Sequence, residues 1–260
     1  MSEHWDPGDA LGGTQIRYLA SVFVDAERIL PTPDDIKRLV DILGDPNMRA
    51  VWGQDPNNPN SPPRLGFSNQ STGRQLALLG NRFDYAAVSS EPEGSDLGSL
   101  ADFCREAASR LSGAMEHFSQ VANRLASVQE GYLPTSSAMP MDNVARNLLH
   151  FPDFYAANIP REWDWRANAQ TMRMFGESNE LCNNISTIRR MVGQYFRMDT
   201  HGVFSGEIDK IRIDIDINTH PNNAAPRFRT QEVTAFFAAA GEWHGELSSQ
   251  LQSFIRRNTT

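Results

Sequence analysis

Two aspartates stand two residues apart in segment 207–218, where isoleucine occupies every second position over four repeats. With His220 nearby, Asp214 and Asp216 are candidate ligands for a hard divalent cation, which prefers carboxylate oxygens. A metal ion there would allow a metal-dependent hydrolase or nuclease, with help from Glu207 or His220. Alternate side chains of a strand lie about 7 Å apart, so neighbouring elements would have to complete the site.

The same segment also fits a solvated sheet surface covered by ion pairs. Lys210 and Arg212 share the polar face with the two aspartates, and Arg189 and Arg190 are available to pair with them from another strand. Such charge ladders are common on sheets and contribute little individually. This interpretation is favoured over a metal site. A third hypothesis is a nucleotide or nucleic-acid sensor that uses Arg189, Arg190 and Arg197.

A short aromatic and basic stretch, I-P-R-E-W-D-W-R, contains a second set of candidates. Arginine and tryptophan are the residue types that most often anchor protein interfaces. Arg161, Trp163, Trp165 and Arg166 are therefore predicted partner-binding residues. The alternative is that one tryptophan is buried in the core while the other lies at its rim, and the sequence leaves both interpretations open.

Cys104 and Cys182 are far apart and form no C-x-x-C arrangement. This usage suits a reducing compartment and excludes a cysteine-rich metal site. Cys104 follows Phe103 on the apolar stripe of a predicted helix, where a thiol behaves as a small hydrophobe. No histidine has a recognisable relation to either thiol, and His244 adjoins the apolar stripe of the last predicted helix, which favours packing. We therefore assign no catalytic residue.

The charge balance limits the classes of partner. The 260 residues carry a formal net charge of -8 with a pI near 5.3. Affinity for nucleic acid comes mainly from clustered Lys and Arg, so the composition argues against it and leaves only a local basic patch open. The polar amino-terminal segment lacks an apolar signal region, and no apolar run is long enough to cross a bilayer. We expect a cytoplasmic protein without a membrane role or a cofactor.

Several segments have clear secondary-structure signals. The isoleucine alternation predicts a strand over 207–218 with one buried face. Residues 14–25 are rich in β-branched and aromatic side chains and predict a first strand. Thr32 is predicted to cap a helix that ends at Gly44. The sequence also predicts a surface loop at 53–63, a hairpin with arms at 64–70 and 74–88, and a helix from about Ser99. Residues 117–132 either continue that helix or contain a strand, and the strand is favoured. Strands are predicted at 169–175 and 185–196 beside the isoleucine strand, and Thr230 is the predicted N-cap of the last helix.

These elements predict an α+β fold with a mostly antiparallel sheet backed by helices, including a long C-terminal helix. We expect a disordered leader at 1–13 and a single α+β domain at 14–260. A Pro-, Ser- and Met-rich loop allows the alternative of two joined halves, 14–133 and 144–260. No internal repeat is evident from the sequence.

Segments spread over most of the chain carry a family resemblance. They are L-G-N-R-F-D-Y-A at 79–86, the pair Glu162 and Trp163, residues 177–190, I-D-I-D-I at 213–217, and the closing helix with W-H-G-E-L at 243–247 and Phe254. On these segments the chain resembles a sporadically distributed family of uncharacterised bacterial proteins associated with defence or mobile elements. It is also distantly similar to SecB-like chaperone folds. The resemblance implies an antiparallel sheet backed by long helices and oligomers with apolar grooves, and it supplies no catalytic residues.

The sequence therefore favours a non-enzymatic cytoplasmic binding or assembly protein. We expect it to bind a protein partner or to self-associate, as an accessory component of an antiphage or toxin-related system. The alternative is the metal-dependent hydrolase or nuclease that uses Asp214 and Asp216.

Overall fold

A large antiparallel sheet with helices packed on one face is the framework of the protein. The computed structural model describes residues 14–54, 63–133, 141–149, 151–199 and 202–257. The strands in these ranges are β1 (Gln15–Phe23), β2 (Arg49–Gly53), β3 (Arg64–Asn69), β4 (Arg74–Leu79), β5 (Arg82–Val88), β6 (Arg124–Tyr132), β7 (Trp163–Phe175), β8 (Ser178–Asp199) and β9 (Gly202–Thr219). The helices are α1 (Pro33–Leu43), α2 (Leu100–His117), α3 (Met141–Leu148), α4 (Asp153–Ala157) and α5 (Thr230–Arg257).

The described strands form one nine-stranded sheet in the order β2-β3-β4-β5-β1-β6-β9-β8-β7. Every pairing in it is antiparallel. Helix α5, with 28 residues, is the longest helix described. These features confirm the predicted α+β class, with a mostly antiparallel sheet and a long C-terminal helix.

The two halves of the sheet share an arrangement that the sequence does not reveal, although the described meander has four strands in the first half and three in the second. In the first half β1 precedes α1, a meander and α2, and β1 pairs with the last meander strand, β5. In the second half β6 precedes α3, α4, a meander and α5, and β6 pairs with the last meander strand, β9. The halves join where β1 pairs with β6. This shared arrangement divides the chain between α2 and β6, and one continuous sheet contains both halves.

Helix α1 begins and ends as the sequence predicts. The Asp35 N–H donates to Thr32 Oγ1 at 3.3 Å, and the Thr32 N–H donates to the Asp35 carboxylate at 2.7 Å, which forms a capping box. The hydrogen bonds that the Thr32 hydroxyl and the Thr32 N–H donate to the carboxylate lower the pKa of Asp35. Gly44 has a φ of 60° and closes the helix in the left-handed conformation that glycine favours. His117 Nε2 lies 2.7 Å from Asp35 Oδ1 and so links α1 to the end of α2.

The other two long helices also begin close to their predicted starts. The Asp102 N–H donates to Ser99 Oγ at 3.1 Å, so Ser99 caps α2, which the sequence predicts to begin at about this residue. Helix α5 begins at Thr230, and the Arg229 N–H donates to the Glu232 carboxylate at 2.8 Å. The first turn of α5 is therefore closed one residue earlier than the sequence predicts.

Two apolar clusters fill the space between the sheet and its helices. The first lies beneath α1 and α2 and contains the fully buried Phe67, Phe83 and Phe103. The second lies between β9, α3 and α5, and it contains the four alternating isoleucines from Ile211 to Ile217, each at most 1% exposed. Full burial of one such side chain stabilises the fold by roughly 2 kcal/mol. The predicted buried face of the isoleucine strand is confirmed.

Helix α5 also carries polar side chains on its packed face. The His244 ring is fully buried, and its Nε2 lies 3.1 Å from both the carbonyl oxygen and Oγ of Ser127 on β6. Ser248 and Gln252, one and two turns further along, are also buried. Burial lowers the pKa of His244 to about 4, against the opposing effect of the Ser127 hydrogen bond. The imidazole is therefore neutral at pH 7, in agreement with the predicted packing role.

Some elements are absent from the sequence-based predictions or differ from them. Strand β2 pairs with β3, but all five of its residues are exposed, so it has no buried face that could produce a periodic signal. The predicted hairpin arm at 74–88 consists of two strands joined by a turn at Gly80 and Asn81. The strands predicted at 169–175 and 185–196 are longer than expected, and only the second pairs with the isoleucine strand.

Parts of three predicted segments lie outside the described residues. They are the leader at 1–13, residues 55–62 of the predicted loop, and residues 134–140 of the predicted connection between halves. None of the helices within the described ranges combines the length and apolar character that crossing a bilayer requires.

Burial of His244 makes stability depend on pH. Its pKa is about 4 in the folded protein, against the ordinary histidine value of 6.5 in an unfolded chain. Between these values the unfolded chain binds a proton that the folded protein does not. The stabilising contribution is complete above about pH 6.5 and is lost as the pH falls, by on the order of 3 kcal/mol near pH 4. We expect a His244→Gln variant to lack this pH dependence.

Urea unfolding of the wild type and the variant at pH 7 and pH 4.5 measures this effect. The difference in unfolding free energy between the two proteins should shrink at the lower pH, because only the wild type loses the contribution of His244. The other titrating groups contribute equally to both proteins and cancel in the difference. An equal difference at both pH values would contradict the assignment.

Candidate functional site

The polar row of β9 lies on the face of the sheet opposite α2 and α5. The isoleucines of β9 contact the helices, so the alternate residues Lys210, Arg212, Asp214, Asp216 and Asn218 face the other way. We call this side of the sheet the open face. It brings together charged side chains of several strands, and the sequence alone does not show which of them are neighbours.

Asp214 is held by two arginines on the open face. Arg212 Nε donates to Asp214 Oδ1 at 2.6 Å, and Arg189 of β8 pairs with Oδ2. Arg212 Nη2 also donates to Glu130 of β6 at 2.9 Å, and Glu130 pairs with Arg17 of β1. Five charged side chains therefore connect four neighbouring strands. This is the ion-paired arrangement that the sequence favours, and it occupies both oxygens of the Asp214 carboxylate.

The arginines of the sensor hypothesis do not form one surface. Arg189 lies on the open face, whereas Arg190 lies on the helix-covered face. There Arg190 Nε donates to Asp209 at 2.8 Å and Nη1 donates to Asp142 at 3.1 Å. The side chain of Arg197 lies outside the described residues. The two described arginines diverge and are both bound to carboxylates.

Asp216 lies in a poorly hydrated part of the row, next to the fully buried Asn218. Burial raises the pKa of its carboxyl group, although the Asn218 amide opposes this by donating to Oδ1 at 2.9 Å. Asn218 Oδ1 accepts from Arg124 of β6 and from Asn183 of β8, each at 3.0 Å. Gln170 of β7 donates in turn to Asn183 at 3.2 Å. Amide side chains thus connect Asp216 to the edge strand.

The three predicted metal ligands do not converge. His220 lies beyond the end of β9. Its backbone N–H donates to the Leu181 carbonyl at 2.7 Å, and its ring Nδ1 accepts from the backbone N–H of Asn222 at 3.3 Å. Asp214 and Asp216 are engaged with arginine and amide donors. Within the described ranges, no group of three or more His, Cys, Asp and Glu side chains is arranged to hold a metal ion. A metal site at these positions stays a prediction that the geometry does not favour.

Both cysteines are buried on the helix-covered side of the sheet. Burial raises the pKa of Cys104 to about 12 and that of Cys182 to about 11. The thiolate is the nucleophilic form of cysteine, so neither side chain is activated at neutral pH. The burial of Cys182, which the sequence leaves undecided, follows from its place on β8 beneath the helices.

The predicted partner-binding residues are divided between the two faces. Trp163 is buried in the second apolar cluster, and the partly buried Trp165 has its ring centroid 5.9 Å from that of Phe254 on α5. Arg166, the next residue of β7, belongs to the open face, and Arg161 precedes the strand. Burial of one tryptophan with the other at the rim is therefore the arrangement observed.

Trp165 and the C-terminal part of α5 form an apolar groove of about 540 Å³, which we call the α5 groove. Its apolar walls are Trp165, Leu247, Leu251 and Phe254. Ser249, Gln250, Ser253 and Arg257 add a polar rim. Of the predicted partner-binding residues, only Trp165 lines this groove.

The β8–β9 hairpin extends beyond the rest of the sheet. Strand β6 pairs with β9 only through residues 212–218, and β7 pairs with β8 only through residues 178–190. In the described chain, the remaining parts of β8 and β9 pair only with each other. We call residues 191–199 and 202–210 the ribbon. On one of its faces Phe196 is 74% exposed and Val203 is 65% exposed.

The opposite face of the ribbon is anchored to the body of the protein. The Tyr195 ring lies across Gly206, where an added Cβ would lie 2.5 Å from the ring, so a larger residue there would displace the ring. The Tyr195 hydroxyl donates to Glu93 Oε1 at 3.2 Å, and Lys210 Nζ donates to Glu93 Oε2 at 2.9 Å. The interactions with Lys210 and Tyr195 lower the pKa of Glu93. These contacts hold the half of the ribbon nearest the sheet and leave the face that carries Phe196 and Val203 exposed.

The ribbon and the α5 groove are absent from the sequence-based predictions. The available signal for the ribbon is length, since two strands of 22 and 18 residues lie beside strands of 9 and 13 residues. The available signal for the groove is the apolar stripe of the last helix, which continues to Phe254. Neither signal shows which part of the long strands or of the helix lacks a packing neighbour in the folded chain.

No protein-family model matches the chain, and neither does any curated protein. The interpretation of these surfaces therefore depends on their geometry.

Divalent cations test the role of the acidic row. If Asp214 is only an ion-pair partner, millimolar Mg²⁺ or Mn²⁺ leaves the melting temperature of the wild type unchanged, whereas binding to the native state would raise it by mass action. An Asp214→Asn variant should lower the free energy of unfolding by roughly 2 kcal/mol, because Arg189 and Arg212 lose their shared anionic partner. A cation-dependent rise in the wild type that this variant removes would instead support a metal site.

Proposed function

We propose that the protein is a non-enzymatic binding or assembly protein of the cytoplasm that self-associates through its ribbon. The observation that carries this proposal is the exposure of Phe196 and Val203 on a hairpin beyond the sheet. A two-stranded hairpin is marginally stable by itself in water. Exposed apolar side chains of this size gain free energy when a partner buries them.

The edge strand β7 gives further support to a binding role. It pairs with β8 over 13 residues without a change of register, and in the described chain its other edge is unpaired. Natural proteins protect long edges with charged side chains, especially lysine, or with proline or bulges. Strand β7 carries charge at Asp164, Arg166 and Arg173 but has no proline or bulge, and Met172 and Met174 near its end are exposed. Such an edge is suited to contact with another chain.

The chemistry of the described side chains favours binding over catalysis. Asp214 is paired with arginines, and Asp216 accepts a hydrogen bond from an amide. Both thiols are protonated at neutral pH because they are buried. The alternative hydrolase or nuclease would require Asp214 and Asp216 to exchange these partners for a metal ion, so it has less support.

The biological setting is proposed from the family resemblance alone. In that setting the protein is an accessory component of a bacterial antiphage or toxin-related system, with a chaperone-like architecture. An antiparallel sheet backed by α2 and α5 and an apolar groove beside α5 are the features that this comparison implies. Gene order checks it: a nuclease, toxin or ATPase gene should adjoin the gene for this chain, and a consistently solitary gene would contradict the setting.

Light scattering tests self-association. The wild type should have a molar mass that is a multiple of the 29.1 kDa chain. A Phe196→Ser, Val203→Ser double variant should be monomeric with an unchanged circular dichroism spectrum, because both side chains are exposed in the single chain. The matched control is Leu30→Ser, which removes an equally exposed apolar side chain outside the ribbon. A wild type that is strictly monomeric at micromolar concentration would contradict the proposal.

A further inference from the structure

The ribbon and the α5 groove are complementary surfaces on the same chain. We propose that the ribbon of one copy docks into the α5 groove of a second copy, and that the second ribbon docks reciprocally. This inference rests on the proposed self-association, and the α5 groove is the surface that receives the ribbon. The docked residues are Phe196 and Val203, and the receiving surface consists of Trp165, Leu247, Leu251 and Phe254.

Size and chemistry match between the two surfaces. The groove volume of about 540 Å³ lies within the range of roughly 300–1,000 Å³ typical of sites that enclose small organic ligands. It therefore has room for one aromatic and one branched aliphatic side chain. Phe196 pairs with Ser205 on the neighbouring strand. Val203 stands two residues from Ser205, so Phe196 and Val203 lie on the same face of the ribbon.

Charge is complementary at the edges of the two surfaces. Glu207 is exposed on the same ribbon face as Phe196. It lies two residues closer to the sheet than Ser205, which pairs with Phe196. Arg257 is exposed at the rim of the groove, one helical turn from Ser253. When Phe196 and Val203 contact the apolar wall of the groove, Glu207 can pair with Arg257 at its rim. Such charge pairs contribute orientation and specificity to an interface.

The ribbon cannot reach the groove of its own chain. Trp165 in the groove pairs with Ile188 of β8, whereas Phe196 lies eight residues further along that strand. Eight residues of strand span about 26 Å, and the contacts of Tyr195 and Lys210 with Glu93 hold the base of the ribbon in place. The groove must therefore receive a ribbon from another molecule.

Reciprocal docking closes into a symmetric dimer. Each chain has one ribbon and one groove, so a twofold axis satisfies both pairs of surfaces with two identical contacts. A one-way contact would leave one ribbon and one groove free and would continue into a chain of molecules. The expected assembly is therefore a dimer of about twice the 29.1 kDa chain mass.

A complementation experiment tests the acceptor. The ribbon variant carries Phe196→Ser and Val203→Ser, and the groove variant carries Ser253→Trp, which fills the groove from an exposed helix position. Each variant alone should be monomeric, because neither retains a complete ribbon–groove contact in a homodimer. An equimolar mixture should form a heterodimer with one intact contact, detected by native mass spectrometry. Glu242→Trp, at an exposed position of α5 outside the groove, is the matched control and should remain dimeric.

Charge reversal gives a second test that does not depend on filling the groove. Glu207→Arg and Arg257→Glu should each raise the dimer dissociation constant about tenfold, because like charges then face each other. The chain that carries both reversals should recover wild-type affinity.

The outcomes separate the two proposals. If the groove variant stays dimeric while the ribbon variant is monomeric, self-association through the ribbon holds and the α5 groove is not its acceptor. If the charge reversals have no effect or are not rescued in combination, the docking is likewise overturned. A monomeric wild type would contradict the proposed self-association itself.

Discussion

Burial of the four alternating isoleucines of β9 against α3 and α5 is the constraint on which the arrangement of the second half depends. A strand has two faces with a period of two residues, so fixing Ile211 to Ile217 beneath the helices fixes every polar neighbour on the other side. A slip of one residue would bury Arg212, Asp214 and Asp216 in an apolar cluster. The apolar face therefore determines where the charged face lies.

The charged face is in turn made stable by contacts between strands. Arg212 bridges Asp214 and Glu130, and Arg189 and Arg17 complete the network from β8 and β1. These ion pairs are partly shielded from solvent, so removing one partner leaves a poorly hydrated charge on another. The same contacts that stabilise the sheet occupy the oxygens that a metal ion would need. The most conspicuous acidic residues of the described chain therefore take part in the contacts that join its strands.

The surfaces suited to association arise where strands differ in length. Strands β8 and β9 continue past β6 and β7, which removes the neighbours that would cover Phe196 and Val203. Strand β7 ends the sheet with an unpaired edge in the described chain, and α5 continues alongside it to form a groove with Trp165. The ribbon and the α5 groove both keep apolar side chains that no other described part of the chain covers completely. Association is a direct way to complete that packing.

The sequence by itself determined the features that depend on near neighbours. The alternation of Ile211 to Ile217 fixed a strand with one buried face, and Thr32 and Gly44 fixed the ends of α1, because periodicity and capping act over a few residues. Only the tertiary structure decided that Arg189 rather than Arg190 pairs with Asp214 and that Cys182 is buried. Those outcomes depend on strand order and register between distant segments, for which a single sequence carries no local signal.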